Sequence, residues 1–494
     1  MSAPKLEAIF GAPLVCNQYD LADALRRENE ARILREDSGL DSDEEDVELE
    51  DPVEVPLHAP PLPAPLASST TSALTGLAKK NHKKRERQRT KRRESTVAAM
   101  NSPTPPVPAP HVLEKAAAST SINVAYSANS FRATKQCWVG PTKPFEHPLL
   151  AHAADAEFLK QHMPYFDWDG IESHVLVDCH GRSIGLLVGV PEMFADVIEA
   201  ASDACRAARE KMLFPASAYI HRRASGPGFP TSTRGFGFGT GRQTVGNYKA
   251  CSRTNEAAMG ELLANDAVNR AATFPIPAFQ AVCWNIFSDY HATKQTLLNQ
   301  NPGLHRTFER SPFAAVTANL GPFSVSPPHT DGANKADGMC LITALGRFNA
   351  DKGAHLVLWD YNFIIRFPAG CSAFIPSAVV THSNTPIADD EERFSLVQYS
   401  AGALLRWVDN GFKSDLTWMA SATPADLARR EENRKARCAA ALKKFSLWKD
   451  VKVKNFSGRG RVEVWDQGDI ADFNDLTEEE DSDVEEPPRK KRRM

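Results

Sequence analysis

The chain has 494 residues, 42% of them hydrophobic, enough for a large buried core if those residues are grouped. Its net charge of −4 averages acidic and basic blocks that lie far apart, so it excludes no class of partner. No apolar run approaches the ~20 residues that span a bilayer, and residues 1–16 lack an apolar stretch behind a basic start, so a soluble, non-secreted protein without a membrane partner is expected.

Residues 1–140 read as a mostly disordered tail. Leu21, Leu25 and Ile33 have helical spacing, but an acidic run follows over 36–51 and a Pro/Ala-rich linker over 52–67. Neither stretch can bury enough surface to offset chain entropy. The basic block over 79–93 reads as a nuclear import or nucleic-acid contact, or more plainly as a solvated charged helix.

Residues 141–420 carry most of the aromatic and branched aliphatic side chains and form the predicted folded domain, of mixed α+β class. Strand-like runs over 174–178 and 184–190 flank His180-Gly181-Arg182, which predicts a hairpin. Helical patterns follow over 191–213, 256–272 and 278–298. Between the first two lies a Gly-rich stretch over 226–246, preceded by Arg222 and Arg223 and containing Arg234 and Arg242. Arginines interleaved with Phe and Gly suit phosphate contact and base stacking on a flexible loop, and a plain surface loop is the competing reading. Short apolar runs over 340–345, 355–359, 363–367, 372–375, 379–382 and 394–399 predict the strands of a jelly-roll or sandwich.

Thr423-Pro424 is a cap followed by a first-turn proline, so a basic helix is predicted over 421–450. Residues 451–494 form a second tail, acidic over 478–486 and ending in Pro487-Pro488-Arg489-Lys490-Lys491-Arg492-Arg493. A basic cluster kept extended by two prolines predicts nuclear import receptors as partners and the nucleus as the location. The chain's 9 cysteines stand singly, with no C-x-x-C spacing, and are expected to be reduced thiols.

His329-Thr330-Asp331 places an imidazole and a carboxylate on one side of an extended backbone, where both can grip one ion. The triplet alone is weak. His382 supplies a second imidazole in the strand-rich region, and two histidines with one carboxylate form the facial ligand set of non-haem Fe(II) oxygenases. That geometry leaves coordination positions for a chelating oxo acid and dioxygen. Arg393 follows, and its guanidinium can pair bidentately with the far carboxylate of 2-oxoglutarate. Ser395, on the same strand face, can add a hydroxyl. Singly, His382 reads as a core histidine and Arg393 as a surface cation. Their order, spacing and strand context together point to a dioxygenase with Fe(II) and 2-oxoglutarate. Asn334 and Asn384 are candidates for groups near the substrate or the oxo acid.

Over residues 147–413 the chain also resembles the TET/JBP-like 2-oxoglutarate oxygenases expanded in mushroom-forming fungi. The resemblance is carried by the strings at 311–315 with 318–322, 329–334, 375–378 with 382–384, and 393–395 leading into 398–402. It implies a double-stranded β-helix (jelly-roll) core with flanking helices, Fe(II), 2-oxoglutarate, and oxidation of a flipped, methylated base in DNA, usually 5-methylcytosine to 5-hydroxymethylcytosine and beyond. Where the family often shows two glycines, this chain reads Ala401-Gly402-Ala403. The alternatives are an oxygenase acting on N6-methyladenine, RNA or protein, and a catalytically silent chromatin- or transposon-associated binding module. A silent module has no need of the complete set His329, Asp331, His382 and Arg393.

Overall fold

The computed structural model describes residues 87, 90, 91 and 94–452, apart from 135, 142–144, 220–227, 240 and 241. The acidic run over 36–51, the linker over 52–67, most of the basic block over 79–93 and residues 453–494 of the C-terminal tail lie outside the described residues.

Two sheets organise a mixed α+β body. The larger has nine strands, in the order β1 (Thr120–Asn123), β3 (His174–Val177), β4 (Ser183–Val188), β11 (Ser372–Ile375), β8 (Cys340–Arg347), β13 (Glu392–Tyr399), β7 (Ala315–Asn319), β5 (Thr231–Gly237) and β6 (Gly246–Asn247). The smaller has four, in the order β12 (His382–Asn384), β9 (Leu356–Leu358), β10 (Phe363–Ile365) and β2 (Tyr165–Phe166). Leu341, Ala344 and Phe374 of the large sheet share one core with Leu356, Leu358, Phe363 and Ile365 of the small one. Val197, Ile198 and Ala201, on the helix Ala195–Lys211, pack with Leu345, Phe394 and Leu396. With both faces covered, β4 is buried throughout, which is why Ile184 to Val188 reads as a run without a polar side chain. Each such Leu, Ile or Phe contributes roughly 1.5–3 kcal/mol on burial.

The hairpin of β3 and β4 forms as predicted, turning at Gly181. Helix bounds differ where a cap intervenes. The helix predicted over 256–272 is two, Arg253–Ala264 and Asp266–Thr273, because the Asn265 side chain accepts from the amides of Ala267 and Val268 and starts a new helix. The C-terminal helix has the predicted Thr423 cap, reinforced by Asp426, but it runs from Pro424 only to Ala441. There Leu442, Phe445, Leu447 and Trp448 turn into the core, and the Ser446 carbonyl accepts from the amide of Ser183. This stretch is part of the main body and not a separate unit.

Residues 110–140, assigned to the tail by their composition, also belong to the folded body. They supply the helix Pro110–Ala118 and β1, which pairs in parallel with β3, and Phe131 is fully buried. The Gly-rich stretch is likewise not a loop over 231–237 but the strand β5, paired with β7. Gly235 makes that pairing possible, since a Cβ there would lie 2.2 Å from the Ala314 carbonyl oxygen. The expectation of reduced thiols throughout is corrected at one pair: Cys137 and Cys438 are joined by a disulfide. Among the described residues no helix is long and apolar enough to cross a membrane.

Candidate metal centre

His329 and His382 face each other across an antiparallel bridge. The His329 amide donates to the His382 carbonyl at 3.1 Å and the His382 amide donates back at 2.9 Å, which sets the ring centroids 4.4 Å apart. His382 opens β12; it was predicted to end a strand, but residues 376–380 form a turn, with the Val379 and Val380 amides both donating to the Pro376 carbonyl. Asp331 is positioned from the same side, its amide donating to the Ser377 carbonyl at 2.8 Å.

The three side chains converge. An Asp331 carboxylate oxygen lies 3.9 Å from His329 Nε2, and the other lies 3.9 Å from His382 Nε2. One ligand atom from each of the three residues can be chosen so that all lie within 4.8 Å of one another. The ring orientation fixes which nitrogen does the binding. His329 Nδ1 lies 2.8 Å from the Pro327 carbonyl and His382 Nδ1 lies 3.0 Å from that of Val380. A carbonyl can only accept, so each Nδ1 carries the proton and each Nε2 lone pair points to the common centre. Two imidazoles and one carboxylate so arranged can hold a divalent ion such as iron and leave a face open.

Arg393 lies on β13 and is 4% exposed. One guanidinium nitrogen donates to the Ser324 carbonyl at 2.7 Å, while Nε is buried without a hydrogen-bond partner. Burial pulls its pKa down to about 10, with no charge among the described residues offsetting the cost. A buried guanidinium lacking an anion is an expensive arrangement unless a ligand supplies one, and a carboxylate has the charge and the paired acceptor oxygens to do so. Ser395, two residues along β13, is also buried, and its hydroxyl accepts from Asn319 Nδ2 at 2.8 Å.

Asn334 donates to the Ser377 hydroxyl at 3.0 Å, so it braces the turn that holds Asp331. Asn384 accepts from the Ser326 amide and donates to the Ser324 carbonyl, which makes it a tie between β12 and the 324–326 segment. Arg234 is paired with Glu256 at 2.6 Å, and Arg242 donates to the carbonyls of Gly246 and Asn247 while covering the Tyr248 ring. Arg222 and Arg223 lie outside the described residues. Three contributors to the site carry no chemistry that a sequence motif would reveal: the carbonyls of Ser324 and Ser377, and Gly140, whose amide donates to the Gly332 carbonyl at 2.8 Å beside Asp331.

The chain matches no family model and no curated protein. Among solved structures it aligns with NgTET1 in complex with 5mC DNA at 12% identity and a TM-score of 0.33, covering 51% of this chain and 88% of that one. It also aligns with JOX2 in complex with 2OG, Fe and JA at 13% identity and a TM-score of 0.18, covering 60% of this chain and 84% of that one. Likeness at this level transfers no function, and the site's chemistry stands on its own side chains.

Proposed function

We propose that the protein is an Fe(II)- and 2-oxoglutarate-dependent dioxygenase that oxidises the methyl group of a methylated base in DNA, with 5-methylcytosine the first substrate to test. The observation that carries the oxygenase reading is the convergence of His329, Asp331 and His382 in a fold that also buries Arg393 with no charged partner among the described residues. The two sheets sharing one core accord with a double-stranded β-helix.

Iron held by these ligands supplies oxidative decarboxylation of 2-oxoglutarate to succinate and CO2, coupled to insertion of oxygen into a substrate C–H bond. The residues do the positioning. Backbone carbonyls of Pro327 and Val380 keep both imidazoles in the metal-binding tautomer and orientation. Arg393 holds the far carboxylate of the oxo acid, and its burial excludes the water that would compete for it. A methyl group inside a duplex is out of reach, so the base must be flipped, at a cost of a few kcal/mol.

The DNA substrate is supported by the resemblance carried by the strings at 311–315, 318–322, 329–334, 375–378, 382–384, 393–395 and 398–402. A nuclear location is proposed on the basic clusters at 79–93 and 489–493. The test of the oxygenase reading is conversion of labelled 2-oxoglutarate to succinate by the full chain, with and without Fe(II). Iron-dependent succinate is expected, and its absence in a folded, iron-loaded protein would overturn the reading.

A further inference from the structure

The disulfide lies where it can act on the metal loop. Residues 136–140 run as a strap between the C-terminal helix and the segment that carries Asp331. On one side, Val139 bridges to Lys335, the Trp138 carbonyl accepts from the Ala336 amide at 3.0 Å, and Gly140 donates to Gly332. Gly140 is also wedged against the next loop, for a Cβ there would lie 2.0 Å from the Ala378 carbonyl oxygen, one residue beyond the Ser377 carbonyl that holds Asp331. On the other side, Cys137 is bonded to Cys438 near the end of the helix Pro424–Ala441. Arg437, the preceding residue, covers the Trp138 ring at 3.9 Å and donates to the Gln136 carbonyl at 3.2 Å.

We propose that Cys137 and Cys438 form a reversible redox site that sets how firmly the metal is held. The bonded pair braces the strap against the Asp331 loop, and reduction removes that covalent tie while leaving the strap its backbone contacts, the packing of Trp138 and Val139 and the Arg437 contact. This rests on the reading of His329, Asp331 and His382 as a metal site. The other cysteines among the described residues, Cys179, Cys205, Cys251, Cys283, Cys340 and Cys371, form no disulfide, and none lies on the strap.

The chemistry is thiol–disulfide exchange with a small disulfide such as oxidised glutathione. One cysteine thiolate attacks its S–S bond and expels a glutathione thiolate. The second cysteine then attacks the mixed disulfide and expels the other, so the protein pair loses two electrons and two protons and two glutathione thiols form. Excess thiol reverses both steps. With Cys137 2% and Cys438 0% exposed, exchange in either direction waits for the helix end to lift and is slow.

The test takes the full-length protein, equilibrates it with oxidised or reduced glutathione, removes the reagent, and divides each sample. One half is denatured in an alkylating reagent and mapped by mass spectrometry, and the other is titrated with Mn(II) as a redox-silent probe of the metal site. A linked Cys137–Cys438 peptide is expected from the oxidised sample alone. Mn(II) is expected to bind about tenfold or more weakly after reduction, the scale on which supports behind metal ligands act. A Cys137→Ala/Cys438→Ala double variant is expected to bind equally weakly after either treatment. If that variant does not fold, the two wild-type samples still decide. Free alkylated Cys137 and Cys438 in the oxidised sample, or equal Mn(II) affinity in both, would overturn the proposal. Mn(II) binding in neither sample would defeat the metal reading and the bracing together, while the peptide map would still show whether the two cysteines bond.

Discussion

Asn384 and Arg393 donate to the same backbone oxygen, the Ser324 carbonyl, at 3.2 Å and 2.7 Å. Asn384 lies two residues beyond the candidate metal ligand His382 on β12 of the small sheet, and Arg393 lies on β13 of the large one. A single carbonyl thus ties β12 to β13, and the candidate ligand His382 and the buried Arg393 are held in one frame.

Arg393→Lys is therefore expected to keep metal affinity near wild type and to raise the KM for 2-oxoglutarate by about tenfold or more. An ammonium cannot reproduce two parallel hydrogen bonds, and each bond to a charged group is worth about 1.5–3 kcal/mol. Titrating 2-oxoglutarate against succinate formation checks this. Equal half-saturation in the two proteins would move the anchor to another residue.

Gly140→Ala places a methyl group 2.0 Å from the Ala378 carbonyl oxygen, so either the strap or the 377–378 loop must move. The expected result is a loss of about 1–3 kcal/mol in stability, typical of overpacking, together with weaker metal binding. Thermal melts with and without Mn(II) measure both. A variant with the wild-type Tm in each condition would show that the contact relaxes at no cost.

Lys294 is fully buried, and its ammonium donates to the Ser311 carbonyl at 2.9 Å. Desolvation, aided by the charge of Arg306, pulls its pKa down to about 7, against about 10.4 in an unfolded chain. Between those values the unfolded state binds more protons than the native state, so this group makes stability rise with pH, by up to about 1.4 kcal/mol per pH unit. Lys294→Met is expected to flatten that rise. Denaturant melts at a series of pH values above neutrality compare the slopes, and identical slopes in both proteins would remove Lys294 as the cause.

Deleting residues 487–493 together with 79–93 is expected to leave a fluorescent fusion of the protein largely cytoplasmic, because these segments hold the two basic clusters. A deletion variant that stays fully nuclear would refute the import reading.

The candidate site was legible because few residue types perform that chemistry and they come in a fixed order: the candidate ligands His329 with Asp331, then His382, followed by Arg393. The Thr423 cap and the turn at Gly181 were legible because each is a local rule. What escaped depends on partners far along the chain. β1 joins the large sheet only by pairing with β3, and nothing within 120–123 reveals that. Cys137 and Cys438 are separated by 301 positions, so their single spacing looked like that of free thiols. Arg234 read as a free cation in a glycine-rich loop, whereas it stands on a strand and is paired with Glu256.

The most direct test of the central claim is nucleoside mass spectrometry after incubating the full chain with 5-methylcytosine-containing duplex, Fe(II), ascorbate and 2-oxoglutarate. The expected products are 5-hydroxymethylcytosine and succinate, with both abolished in His329→Ala and Asp331→Ala. Unchanged 5-methylcytosine in a protein that turns over 2-oxoglutarate would contradict the DNA substrate, and product formed by either ligand variant would contradict the metal centre itself.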